Sequence, residues 1–134
     1  RRHVQKRYNE ELGDVIQAPP HSETVQYYCA KVDPEVRDDL IDYLADKKIH
    51  TSVHFKPLHL YNVVKDMNQR DYPVANVEWK KLISLPCHPG MNDEDIDYVV
   101  YWVLKYFEEK AQPVKAQPVK AQPVIEKPWW RFWE

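Results

Sequence analysis

Three histidines, a lysine and two hydroxyls fall within one short stretch, His50-Thr-Ser-Val-His-Phe-Lys-Pro-Leu-His59. An imidazole titrates near neutrality and can hold or move a proton, and an ammonium group nearby draws anions. That mixture suits an anionic or protonatable ligand. Thr51, Val53 and Phe55 alternate with Ser52, His54 and Lys56, which predicts a strand with one apolar and one polar face. Pro57 lacks a backbone N–H, so sheet pairing is expected to fade there and leave His54, Lys56 and His59 on a loop rim. A plainer reading has Lys56 solvated, His54 hydrogen-bonded at a domain edge and His59 partly buried. Metal binding by His50, His54 and His59 is disfavoured, because residues 50 and 54 of a strand stand about 13 Å apart, too far to share an ion.

The elements that must carry this stretch alternate between helix and strand. Val4, Tyr8 and Leu12 are four apart, which predicts a helix over 1–12. It starts abruptly at Arg1-Arg2-His3, as if a longer helix had been cut. Ala18-Pro-Pro20 breaks the pattern, and Thr24–Val32 reads as a strand rich in β-formers. Asp33-Pro34 then opens a helix with a capping side chain and a proline in its first turn. Its inward stripe is Val36, Leu40, Tyr43 and Leu44, with Asp38, Asp39, Asp46 and Lys47 on the solvated face. Strand, helix and strand with short links imply a crossover unit. Tyr72-Pro73 begins a helix through Lys81, and Leu82–Leu85 is an apolar strand stopped by Pro86. Asn92 caps a long helix whose first turn is acidic and whose apolar face is Ile96, Val99, Val100, Val103, Leu104 and Phe107. The expected fold is α/β, a small sandwich with about three strands covered by three to four helices.

Composition removes several classes of function. The 134 residues carry a net charge of -2, with basic residues scattered among acidic ones, so no field or stripe attracts nucleic acid. Gly13 and Gly90 are the only glycines, which leaves no glycine-rich loop to cradle a phosphate. Cys29 and Cys87 each sit in an apolar segment and read as buried free thiols. No signal peptide and no long apolar run is present, and a reducing cytoplasm fits best.

From Lys110 the chain changes character. Lys-Ala-Gln-Pro-Val occurs at 110–114, 115–119 and 120–124. Proline at every fifth position predicts an extended linker over 110–128. Residues 129–134 form an aromatic tail, with Trp129, Trp130, Phe132 and Trp133 suited to a weak interface or partner contact.

Residues 1–109 resemble the C-terminal small domain of DegT-type sugar-nucleotide aminotransferases, pyridoxal-phosphate enzymes of the aspartate-aminotransferase fold. The resemblance rests on Arg7-Tyr8-Asn9-Glu10-Glu11-Leu12, Val32-Asp33-Pro34, Arg37-Asp38-Asp39-Leu40, Thr51–His59 and Leu85-Pro-Cys-His-Pro-Gly90 with Asn92-Asp-Glu-Asp. It implies that 1–12 end an interdomain helix and 13–109 form the small domain. It also implies transfer of an amino group, usually from glutamate, to a keto sugar on a nucleoside diphosphate, in a homodimeric enzyme that contributes to polysaccharide biosynthesis. The family's Schiff-base lysine belongs to a large domain that no segment here matches. The resemblance therefore leaves no catalytic or cofactor-binding residue in this chain, which is expected to be inactive alone. It places His54, Lys56 and His59 at the substrate, and gives His88 a packing role. Lys47-Lys48-Ile49-His50 departs from the family, where glycine often precedes the strand, and raises the question of how tightly this turn closes. The alternative is a stand-alone interaction module derived from such a domain, anchored by its tryptophan-rich tail.

Overall fold

Val4, Tyr8 and Leu12 share one face of α1 (Arg2–Leu12), and all three are buried, as their spacing requires. The structure, a computed structural model, describes residues 1–20, 23, 25–65 and 72–109. The linker 110–128 and the tail 129–134 lie outside the described residues. Tyr8 places its hydroxyl on the carbonyl of Pro86 at 2.9 Å and its ring edge-on to Tyr28, 4.9 Å between centroids. That ties α1 to the central sheet. On its outer side Arg7 bonds Glu11 within α1 and Asp93 and Asp97 of α5 (Asp93–Glu109).

The sheet is narrower than its sequence suggests. β1 (Tyr28–Lys31) pairs antiparallel with β2 (Leu82–Leu85), from Tyr28 opposite Leu85 to Lys31 opposite Leu82. Single bridges extend it on both sides, Gln17 to Lys31 and Ser52 to Ser84. Ser52 and β1 both run antiparallel to β2 from opposite sides, so they are parallel to each other, joined through α2 (Pro34–Asp46). The expected crossover is present, split by β2. The expected third strand over Thr51–Lys56 is not: only Ser52 bridges, and the chain leaves the sheet beyond it. Alternation predicts a strand only where one face gains cover, and Phe55 at the end of the apolar set is 69% exposed.

The helices follow their caps. Asp33 accepts the N–H of Glu35 at 2.9 Å to open α2. Asn92 and Asp95 form a reciprocal box on α5, each side chain accepting the other's N–H at 2.8 and 3.0 Å. α3 (Asn62–Lys65) is a single turn, and α4 (Pro73–Glu78) runs into a 3₁₀ turn at Trp79–Lys81. The buried face of α5 is Ile96, Val99, Val100, Val103, Tyr106 and Phe107. Leu104, expected inward, lies on the flank of that stripe and is exposed. Tyr106 takes the inward place, its hydroxyl donating to Asp39 at 2.9 Å. Lys47, read as solvated, lays its ammonium over the rings of Trp102 and Tyr43 at 4.5 and 5.3 Å.

The turn at Lys48 keeps its geometry without glycine. Lys48 has φ 62°, in the left-handed region. Its N–H meets the carbonyl of Ala45 and that of Ile49 meets Leu44, both at 2.9 Å, which together close the end of α2.

Candidate functional site

Where the chain leaves the sheet, a polar cleft of about 300 Å³ opens, lined by Tyr27, His50, Ser52, His54, Ser84 and Cys87 among others. β2 supplies Ser84, whose backbone N–H and carbonyl are both held by Ser52, at 2.7 and 3.1 Å. The side chain of Ser84 is buried, and its oxygen lies 2.9 Å from Nδ1 of His54. The residue before β1, Tyr27, stacks on the imidazole at 4.1 Å with planes 22° apart. Phe55 meets the same ring edge-on at 4.9 Å, and the Cys29 thiol faces the His54 carbonyl at 3.9 Å. The imidazole is thus fixed in plane by aromatic contacts and in rotation by one hydrogen bond. Cys87, also in the lining, is half-buried, and that burial raises its thiol above the ordinary range, so it stands as a neutral thiol.

Lys56 and His59 do not join His54 in this cleft. Lys56 is exposed, its ammonium 5.2 Å above the ring of Tyr61 and 6.0 Å from that of Trp79. His59 bonds Asn76 of α4 at 2.6 Å through Nε2 and lies against Tyr72, 4.7 Å between centroids. His50 instead borders the cleft and, with Pro86, also borders an adjoining cavity of about 400 Å³ lined by Lys48, Met91, Asp95 and Tyr98. His88 lines that cavity and is exposed, with Gly90 close against its ring. Among the described residues, no three His, Cys, Asp or Glu side chains are grouped to hold a metal ion.

Tyr27 and Ser84 were not among the residues singled out from the sequence. Ser84 had one available signal, a hydroxyl inside the apolar run Leu82-Ile-Ser-Leu85, where a buried polar group needs a partner. Tyr27 had none, since its role depends on contacts from a distant segment.

The described residues form an α/β unit with a cleft at the sheet's edge, and solved aminotransferases share this fold. The sequence profile of the DegT/DnrJ/EryC1/StrS aminotransferase family matches residues 1–104. The chain belongs to that family. It is 35% identical over 81 residues to the spore coat polysaccharide biosynthesis protein SpsC of Bacillus subtilis, covering 54% of this chain and 21% of that one. It is 26% identical over 103 residues to the dTDP-4-dehydro-2,3,6-trideoxy-D-glucose 4-aminotransferase of Saccharopolyspora spinosa, covering 72% and 26%. Among solved structures, Spr1654 of Streptococcus pneumoniae, a proposed sugar aminotransferase in its PLP-form, superposes with a TM-score of 0.69 at 30% identity, covering 82% and 31%. The chain thus spans between about a fifth and a third of these relatives. No described helix is long and apolar enough to cross a membrane.

Proposed function

We propose that this chain is the C-terminal small domain of a homodimeric pyridoxal-phosphate aminotransferase that passes an amino group from glutamate to a keto sugar on a nucleoside diphosphate. The observation that carries the reading is the family match over residues 1–104, which spans the His54 cleft. Relatives named for polysaccharide biosynthesis and for a dTDP-sugar aminotransferase support the substrate class. On this reading residues 1–12 end an interdomain helix, 13–109 are the small domain, 110–128 a linker and 129–134 a tail for partner contact.

The residues of the cleft do not fit the cofactor by themselves. Its lining contains no lysine to bond the aldehyde, no carboxylate for the ring nitrogen and no glycine-rich turn for the phosphate. The cofactor is therefore assigned to a large domain outside this chain, and this chain supplies one wall of the substrate site. His54 orients the sugar. Lys56, exposed at the edge of the loop, lies over Tyr61 and reaches toward the anionic diphosphate. His59, bonded to Asn76, anchors the entrance loop on α4. A stand-alone interaction module gains no support from the family match.

The test is to join this chain to the large domain of a family member and measure glutamate-dependent amination of a nucleotide keto sugar. The joined enzyme should turn over and the 134-residue chain alone should not. His54→Asn should lower turnover by up to ~10²-fold, the low end for a polarising or proton-handling group, with circular dichroism unchanged. Turnover by the isolated chain, or full activity of the variant, would overturn the reading.

A further inference from the structure

We propose that Ser84 is a positioning residue that donates its hydroxyl hydrogen to Nδ1 of His54, holding the imidazole with its proton on Nε2 as a hydrogen-bond donor to an oxygen of the ligand. The backbone donor and acceptor of Ser84 are both taken by Ser52, so the hydroxyl is its one free polar group. Ser84 is 4% exposed, and among the described residues the only partner of its oxygen is His54 Nδ1 at 2.9 Å. A hydroxyl hydrogen in such a place needs an acceptor, and the lone pair of an unprotonated Nδ1 is the one at hand. The reverse assignment, with the proton on Nδ1, would spend the hydroxyl's lone pair and leave its hydrogen without a described acceptor.

The rest of the setting keeps the ring from escaping that choice. Tyr27 stacks on one face, Phe55 meets it edge-on, and the Cys29 thiol faces the backbone carbonyl of the same histidine. Nε2 has no protein partner among the described residues, and His54 lines the cleft. The cleft therefore offers a fixed N–H to a carbonyl or hydroxyl oxygen and disfavours an ammonium group at the same place. That the oxygen belongs to a sugar rests on the function proposed above; the proton's position on the ring does not.

Nitrogen-15 NMR of the histidine rings in the 134-residue chain, at a pH where they are neutral, reads this directly. The His54 signals are identified by their disappearance in His54→Gln. The wild type should show a protonated Nε2 and an unprotonated, hydrogen-bonded Nδ1. Ser84→Ala should move the Nδ1 resonance downfield, toward that of a free acceptor nitrogen, and Ser84→Thr should restore it. A merely structural serine would change stability and leave the folded protein's His54 signals where they were. A proton on Nδ1 in the wild type, or signals unmoved in Ser84→Ala, would overturn the proposal. If the alanine variant fails to fold, the wild-type proton position and the threonine variant still decide. Aminotransferase turnover in the joined enzyme is a separate measurement, so the two readings can fail independently.

Discussion

Lys48 holds a backbone conformation that suits glycine, at φ 62°, because the end of α2 must reverse before His50 and Ser52 can approach β2. Left-handed backbone disfavours a side chain by roughly 1–2 kcal/mol, and glycine's freedom in the unfolded chain returns roughly 0.5–1 kcal/mol of that. Lys48→Gly is therefore expected to stabilise the fold by about 0.5–1 kcal/mol, read as a higher urea midpoint with an unchanged slope. The lysine closes the turn through the N–H groups of residues 48 and 49 without glycine. Lys48 also lines the cavity that adjoins the His54 cleft.

Between elements, two tyrosine hydroxyls tie α1 to the sheet and to the turn that follows it. Tyr8 is fully buried, and its hydroxyl serves the carbonyl at which β2 gives way to the Pro86 turn. Tyr28 returns the favour from β1, its hydroxyl donating to Asn9 of α1 at 2.8 Å. Tyr8→Phe removes one donor and keeps the packing, so thermal or urea unfolding should report a loss of about 1 kcal/mol. Elements whose signals are local were legible in the chain: Asp33-Pro34 and Asn92 mark their helices, and Pro86 stops β2. The segment over 51–56 was misread because alternation records which side chains could share a face, whereas pairing depends on what lies beside it. The site divided for the same reason. His54, Lys56 and His59 are neighbours in sequence, yet Ser84, Tyr61 and Asn76 draw their side chains to different places. Leu104 and Tyr106 changed roles because a buried tyrosine could reach Asp39, a partner on another helix.

For the molecule as a whole, burial is uneven in a way that bears on the proposed function. Its core joins α1, both strands, α2 and α5, while Phe55, Leu58 and Val63 are exposed on the stretch that carries Lys56 and His59, and Val74 and Val77 on α4, which His59 bonds. On the function proposed here, that apolar rim faces the remainder of the enzyme. The single bridge at Ser52 then has a kinetic meaning. Two backbone hydrogen bonds hold the His54 segment to the sheet, while β1 and β2 are paired along four residues. The segment can open without breaching the core, so the amide of Ser52 should exchange with deuterium far faster than those of Ala30 and Ile83. Equal protection at all three would show that this segment unfolds only with the whole domain. With the expected hierarchy, His54 sits on a hinged flap whose closed state is the one in which Ser84 can reach it, and a ligand that engages the imidazole would slow the exchange at Ser52.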